Sequence, residues 1–229
     1  MGGGVVAGAG ARIGPNAILQ LLPVLDRAIG RDGRDRLLAG IDLPPPDAGM
    51  WPEAACRAAH LAVWRGCGDR AASILADAGR GTADYILAHR IPGPVRALTA
   101  LLPSPLGARL LAAAIARHAW TFAGSGQFRI LSRAPMIFEV TRNPLAFPGH
   151  PSPWHGAVFT RLYQALVWPG AVVEATEEGE VSRFTVRPVE VRPSLPRGRS
   201  SPAPAMMPAR VEEPSRNRDP ATEWRLPDS

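Results

Sequence analysis

The hydrophobic pattern of this chain first changes from helical to strand period between Gly124 and Gly126, and that change restricts the fold more than any other feature. Upstream, apolar residues recur at three- and four-residue spacing, the signature of amphipathic helices. Downstream, short runs rich in Phe, Ile and Val alternate with polar residues, as in half-buried strands. A helix starting at Pro15 carries Ile18, Leu21, Leu22 and Leu25, and Pro23 is expected to kink or end it. Further helices are expected over residues 32–39, 51–66, 69–78, 82–89, 95–102 and 106–119, with Gly79-Arg80-Gly81 separating two of them. Strands follow over 127–132 and 136–141. Ser152 can cap a helix that has Pro153 at its first position and runs to about Val167. Residues 172–176 and 182–186 read as a hairpin. The fold class is therefore α/β of the α+β kind, a helical N-terminal half followed by a β-β-α-β-β antiparallel unit.

One domain accounts for this pattern. Residues 1–12 are rich in Gly and Ala and read as a flexible N-terminus. Residues 13–187 form the folded domain, and 46% hydrophobic residues give it a real core. From Pro188 onward prolines, arginines and serines dominate without apolar periodicity, so 188–229 reads as a disordered tail that cannot offset its ordering entropy.

Composition excludes several functions. All 26 basic residues are arginine, and with abundant Ala, Gly and Pro this reflects GC-rich coding more than a nucleic-acid partner. Residues 1–187 hold 19 Arg against 14 acids and the remainder 7 against 6, so the charge reads as unclustered, with neither the basic stripe nor the motif of a nucleic-acid binder. Two cysteines make no disulfide framework. The start has no basic region and too short an apolar run for a signal peptide. The most apolar stretch, 95–116, is broken by Arg96, Pro103, Pro105 and Arg109 and is a poor membrane span. A cytoplasmic protein without a transmembrane segment is expected.

No enzyme motif stands out, and catalytic residues are unassigned. The run from Val5 to Gly14 lacks the strand and the glycine spacing of a dinucleotide fingerprint. Cys56 and His60 are one helical turn apart, but Cys67 is about 16 Å further along a helix, so the three read as core or groove lining and no protein metal site is expected. Two segments are more distinctive. His118, Trp120, Phe122, Gly124 and Gly126 join the last upstream helix to the first strand, with glycines that allow close approach of backbone or a flat ligand. Trp154 and His155 open the helix of the C-terminal unit, where the positive end of the dipole disfavours the imidazolium. A neutral imidazole there can ligate a metal or hydrogen-bond a ligand.

Three segments carry a family resemblance: Ile13-Gly-Pro-Asn-Ala-Ile18, His118-Ala-Trp-Thr-Phe-Ala-Gly-Ser-Gly126 and Trp154-His-Gly-Ala-Val-Phe159. In order and spacing they resemble the bacteriochlorophyll 4-vinyl reductase family, also described as 8-vinyl reductases. The resemblance implies a 4-vinyl-reductase-type domain acting on vinyl-bearing Mg-porphyrins or chlorophyllides. Relatives carry cysteines before the Trp-His pair and in the terminal hairpin, and this chain has none there, so a thiol-based role is not expected. Vinyl reduction would need NADPH, for which no site is visible; no other cofactor is evident. Binding of the Mg-tetrapyrrole and delivery to a pathway enzyme, such as magnesium chelatase, is the favoured expectation over catalysis, with a sensor or adaptor role third. Arginines would suit the propionates. His155, Trp154, His118, Trp120, Phe122, Gly124 and Gly126 are the expected ligand-binding residues, with His155 as axial ligand to the pigment magnesium. The oligomeric state, a homodimer included, is left open.

Overall fold

The computed structural model describes residues 10–188. The chain opens on a two-residue strand, β1 (Arg12–Ile13), followed by α1 (Asn16–Leu19) and α2 (Leu21–Leu37). Strand β2 (Trp51–Pro52) pairs antiparallel with β1 and leads into α3 (Glu53–Cys67), α4 (Ala71–His89), α5 (Gly93–Leu101), α6 (Ser104–Arg117) and the single turn α7 (Trp120–Ala123). Then come β3 (Gln127–Arg133), β4 (Met136–Thr141), α8 (Pro153–Leu166), β5 (Ala171–Glu178) and β6 (Val181–Pro188). The last four strands form one antiparallel sheet in the order β3-β4-β6-β5. The expected β-β-α-β-β unit is thus present in the expected place.

Helix α8 is the centre of the packing. One face lies against the sheet, where Phe138, Phe159, Tyr163 and Phe184 are fully or almost fully buried, and the opposite side packs along α4. The two helices approach closely because Gly79 has no side chain. A Cβ at that position would collide with the Trp154 carbonyl and lie 3.0 Å from the Ala157 methyl. Gly79-Arg80-Gly81 therefore does not separate two helices, as the sequence suggests. It lies within one continuous α4, where tertiary packing outweighs the low helix propensity of glycine.

Other boundaries differ from expectation as well. Pro23 falls in the first turn of α2, where its missing N–H costs nothing, and the bend comes instead at Gly30 (φ 75°, ψ 164°). The expected short helix over 32–39 is the part of α2 beyond that bend. Trp51 belongs to β2 instead of the following helix, and Arg12, expected in a flexible arm, belongs to β1; its guanidinium Nε donates to the Met50 carbonyl at 2.9 Å. The expected disordered tail begins at Pro188, which closes β6; residues 189–229, like residues 1–9, lie outside those described.

Candidate functional site

The N-terminus of α8 is built as its sequence prescribes. Ser152 takes an extended conformation, its Oγ accepts from the His155 backbone N–H at 3.4 Å, and Pro153 occupies the first helical position. This places the His155 ring in the core, fully buried. Ser152 Oγ lies 2.9 Å from its Nδ1. Asn143 Nδ2 lies 3.4 Å from the same nitrogen and donates to Ser182 Oγ at 3.2 Å. The Asn143 amide is oriented by its Oδ1, which accepts from Leu145 N–H at 3.0 Å.

Aromatic rings enclose the rest of the imidazole. Trp154 lies edge-on at 4.8 Å between centroids, Phe122 at 5.6 Å, Phe184 at 5.9 Å and Phe159 at 6.2 Å. Burial lowers the His155 pKa to about 3; the Phe122 backbone opposes that shift and His60 adds to it. Nε2 nevertheless meets no partner at hydrogen-bonding geometry. His155 is therefore neutral at physiological pH, with Nδ1 in a polar cradle and Nε2 buried without a hydrogen-bond partner, the Phe122 backbone being near the ring.

His60, from α3, adds a second buried imidazole. Its Nε2 donates to the Ala17 carbonyl at 3.1 Å, which leaves Nδ1 as an acceptor without a partner. Burial lowers its pKa to about 4, against that backbone bond. Its ring is 6.4 Å from Trp154, whose Nε1 is also unpartnered. Cys56 is buried on the same helix, its thiol pushed up to about 12 mainly by burial. Among the described residues no three His, Cys, Asp or Glu side chains form a metal-holding group.

The junction segment divides between this core and the surface. Phe122 packs T-shaped on Phe128 at 5.5 Å and on Phe159 at 5.8 Å, so it joins Trp154 and His155 in one cluster. His118 and Trp120 do not. His118 is exposed and its Nδ1 donates to the Ala114 carbonyl at 2.9 Å, closing the end of α6. Trp120 is 61% exposed. Gly124 (φ 56°) and Gly126 are turn positions: a Cβ at Gly124 would strike the Glu53 carboxylate, and one at Gly126 would lie 2.9 Å from the Ala123 and Arg142 carbonyls.

Glu53 was not legible as a site residue. Its carboxylate accepts from the backbone N–H and, at 2.8 Å, from the hydroxyl of Ser125. Nearby, Gly14 N–H donates to the Thr121 carbonyl at 2.7 Å. These two ties hold α7 across the His155 enclosure. No sequence signal marks the Glu53–Ser125 contact, because the partners are 72 residues apart.

Open grooves lie elsewhere. One of about 300 Å³ runs between α4, α8 and β5, with Arg80, Arg161 and Gln164 in its wall. A second of about 480 Å³ lies between the end of α2 and α3, with Leu37, Ile41, Leu61 and Arg65. Neither is lined by His155, Trp154 or Phe122.

The fold is similar to that of H-NOX proteins. An Fe(II) unliganded H-NOX protein from K. algicida, in its A71G mutant form, superposes with a TM-score of 0.54 at 11% identity, covering 78% of this chain and 98% of that one. Another H-NOX structure, from work on heme distortion in that family, gives 0.47 at 14% identity, covering 77% and 97%. No family model matches the sequence. Among characterised proteins it is 50% identical over 194 residues to the bacteriochlorophyll synthase 23 kDa chain of Rhodobacter capsulatus, covering 81% of this chain and 91% of the relative. It is 49% identical over 171 residues to the protein of the same name from Cereibacter sphaeroides, covering 72% and 83%. The names of these relatives point to bacteriochlorophyll synthesis, as the three sequence segments imply, but not to a vinyl reductase. At this identity and coverage the chain belongs to the bacteriochlorophyll synthase 23 kDa chain family.

Proposed function

We propose that this protein works in bacteriochlorophyll synthesis by binding a vinyl-bearing Mg-tetrapyrrole and presenting it to a pathway enzyme, magnesium chelatase being one candidate, without reducing the vinyl group itself. The observation that carries this reading is the His155 enclosure: a neutral, fully buried imidazole with an unpartnered Nε2 among four aromatic rings, in a fold similar to an Fe(II) H-NOX protein.

The residues present fit a tetrapyrrole metal held by a single protein ligand. A ligating imidazole must be neutral, and burial keeps His155 so. The nitrogen opposite the metal usually donates to a fixed oxygen, and Ser152 Oγ at 2.9 Å from Nδ1 can accept that proton. Asn143 Nδ2, at 3.4 Å, favours the opposite tautomer, and its longer distance makes it the weaker influence. Trp154, Phe122 and Phe159 would supply apolar walls for a flat macrocycle. His155 is fully buried, so binding a macrocycle there would require the enclosure to open. Trp120 and His118, both exposed, would then meet the pigment only at its rim. His155 would be the one protein side chain to hold the tetrapyrrole metal, through Nε2.

The test is to incubate purified protein with a divinyl Mg-porphyrin, with and without NADPH. The expected result is a red-shifted or sharpened Soret band at micromolar pigment and no monovinyl product. Multiple turnover to the monovinyl form with NADPH and this protein alone would replace the carrier reading with a reductase.

A further inference from the structure

Residues 85–138 contain six arginines and no aspartate or glutamate. The rest of the chain balances its 20 remaining arginines with 20 acids, so this one segment holds the whole formal net charge of +6. The near-even split of charge at residue 187 conceals this. All six arginines, Arg90, Arg96, Arg109, Arg117, Arg129 and Arg133, are exposed. Among the described residues none of them forms an ion pair, whereas Arg34, Arg80, Arg161, Arg183 and Arg187 all do.

The same segment exposes most of the large apolar side chains that are not buried. Helix α6 is apolar on both faces. Its inner face, with Leu111, Ala112 and Ile115, is buried, and the Tyr163 hydroxyl donates to its Ala108 carbonyl at 3.1 Å. Its outer face aligns Leu106, Leu110, Ala113 and Arg117 at helical spacing, and all four are exposed. A helix apolar all round is ordinarily covered on all sides. Leu101, 83% exposed, lies at the end of α5 just before the short turn into α6, and Trp120, 61% exposed, follows its other end. Exposed apolar side chains thus recur at the end of α5, along α6 and at the start of α7, with exposed Arg96, Arg109 and Arg117 on α5 and α6.

We infer that the outer face of α5, α6 and α7 docks on an anionic lipid bilayer. Leucines that enter the acyl boundary, a tryptophan suited to the headgroup level and flanking arginines without acids are what an interfacial surface requires. No described helix is long and apolar enough to cross a membrane, so the contact lies on the surface. A second copy of the chain fits worse, because a symmetric contact would set this positive face against itself. The inference does not depend on the pigment reading.

Vesicle flotation with the full chain tests it. Wild-type protein is expected to float with phosphatidylcholine vesicles containing phosphatidylglycerol, weakly with phosphatidylcholine alone, and to be released by high salt. Each arginine near an anionic surface contributes enough that a triple R96Q/R109Q/R117Q variant should bind about a hundredfold more weakly. L106S/L110S should lose about tenfold or more. All these side chains are exposed, so melting temperatures should hold; if a variant fails to fold, the comparison of the two vesicle types with wild type alone decides. Absence of flotation with phosphatidylglycerol, equal flotation with phosphatidylcholine, or an arginine variant that floats like wild type would overturn the proposal. So would dimerisation or capture of an acidic protein through this face without flotation.

Discussion

The surroundings of α8 and those of α6 are equally apolar, yet they treat that surface in opposite ways. Along α8, Phe159, Leu162 and Tyr163 are buried between the sheet and α4, and the buried polar groups Ser152, Asn143 and Ser182 bond one another or His155. Along α6, the inner leucine is buried while Leu106 and Leu110 are exposed on a helix whose arginines form no ion pair among the described residues. Packing on both sides gives α8 its stability. Packing on one side leaves α6 a free apolar face, which is a property of surfaces that meet a partner. Substitutions around α8 should therefore act on folding, and those on the outer face of α6 on association.

The largest effect is expected at Phe159, whose ring lies within 6.3 Å of Phe122, Phe128, Phe138 and Phe184. Phe159→Ala should cost about 4 kcal/mol in urea unfolding. A cost under about 1 kcal/mol would mean that the cluster is loosely packed.

Acid should act on the same region. His155 and His60 have folded pKa values lowered to about 3 and about 4 from 6.5. The unfolded chain therefore binds more protons below about pH 6.5, and stability falls as pH falls through that value towards the folded values. Between pH 7 and 5 each histidine should cost roughly 2 kcal/mol. His155→Gln should remove about half of that pH dependence in urea melts; an unaltered slope would mean that the ring is open to water in solution.

Gly79→Val should cost about 3 kcal/mol, because the new side chain must push α8 away from α4. If it were instead neutral, the close approach at the Trp154 carbonyl would not exist. The smallest effect belongs to the other region. L106S/L110S should leave stability within about 0.5 kcal/mol of wild type, checked by the same unfolding curve; a larger loss would show that these leucines are covered within the molecule.

What the sequence revealed follows the same division between local and distant interactions. The Ser152 cap and Pro153 start of α8 were legible because capping is decided within four residues. The strands were legible from their alternation. Helix α4 looks like two helices in sequence because Gly79 has its reason in Trp154, 75 positions away. The β1–β2 pair was missed because two-residue strands have no period. Motif and resemblance point to Trp154, His155 and Phe122, and these three rings come together. His118 and Trp120 share those grounds but lie outside that cluster, because His118 closes the exposed end of α6 and Trp120 stands about 200° around α7 from Phe122. Glu53, which ties α7 in place, left no trace in local sequence.

The central claim is that His155 can hold the metal of a tetrapyrrole. Absorption titration of the full chain with a divinyl Mg-porphyrin, wild type against His155→Ala, tests it most directly, with circular dichroism as the check on folding. Loss of the axial partner should weaken binding by about 1–3 kcal/mol and return the Soret band towards that of free pigment. Wild-type affinity with an unchanged pigment spectrum in a folded His155→Ala protein would contradict it.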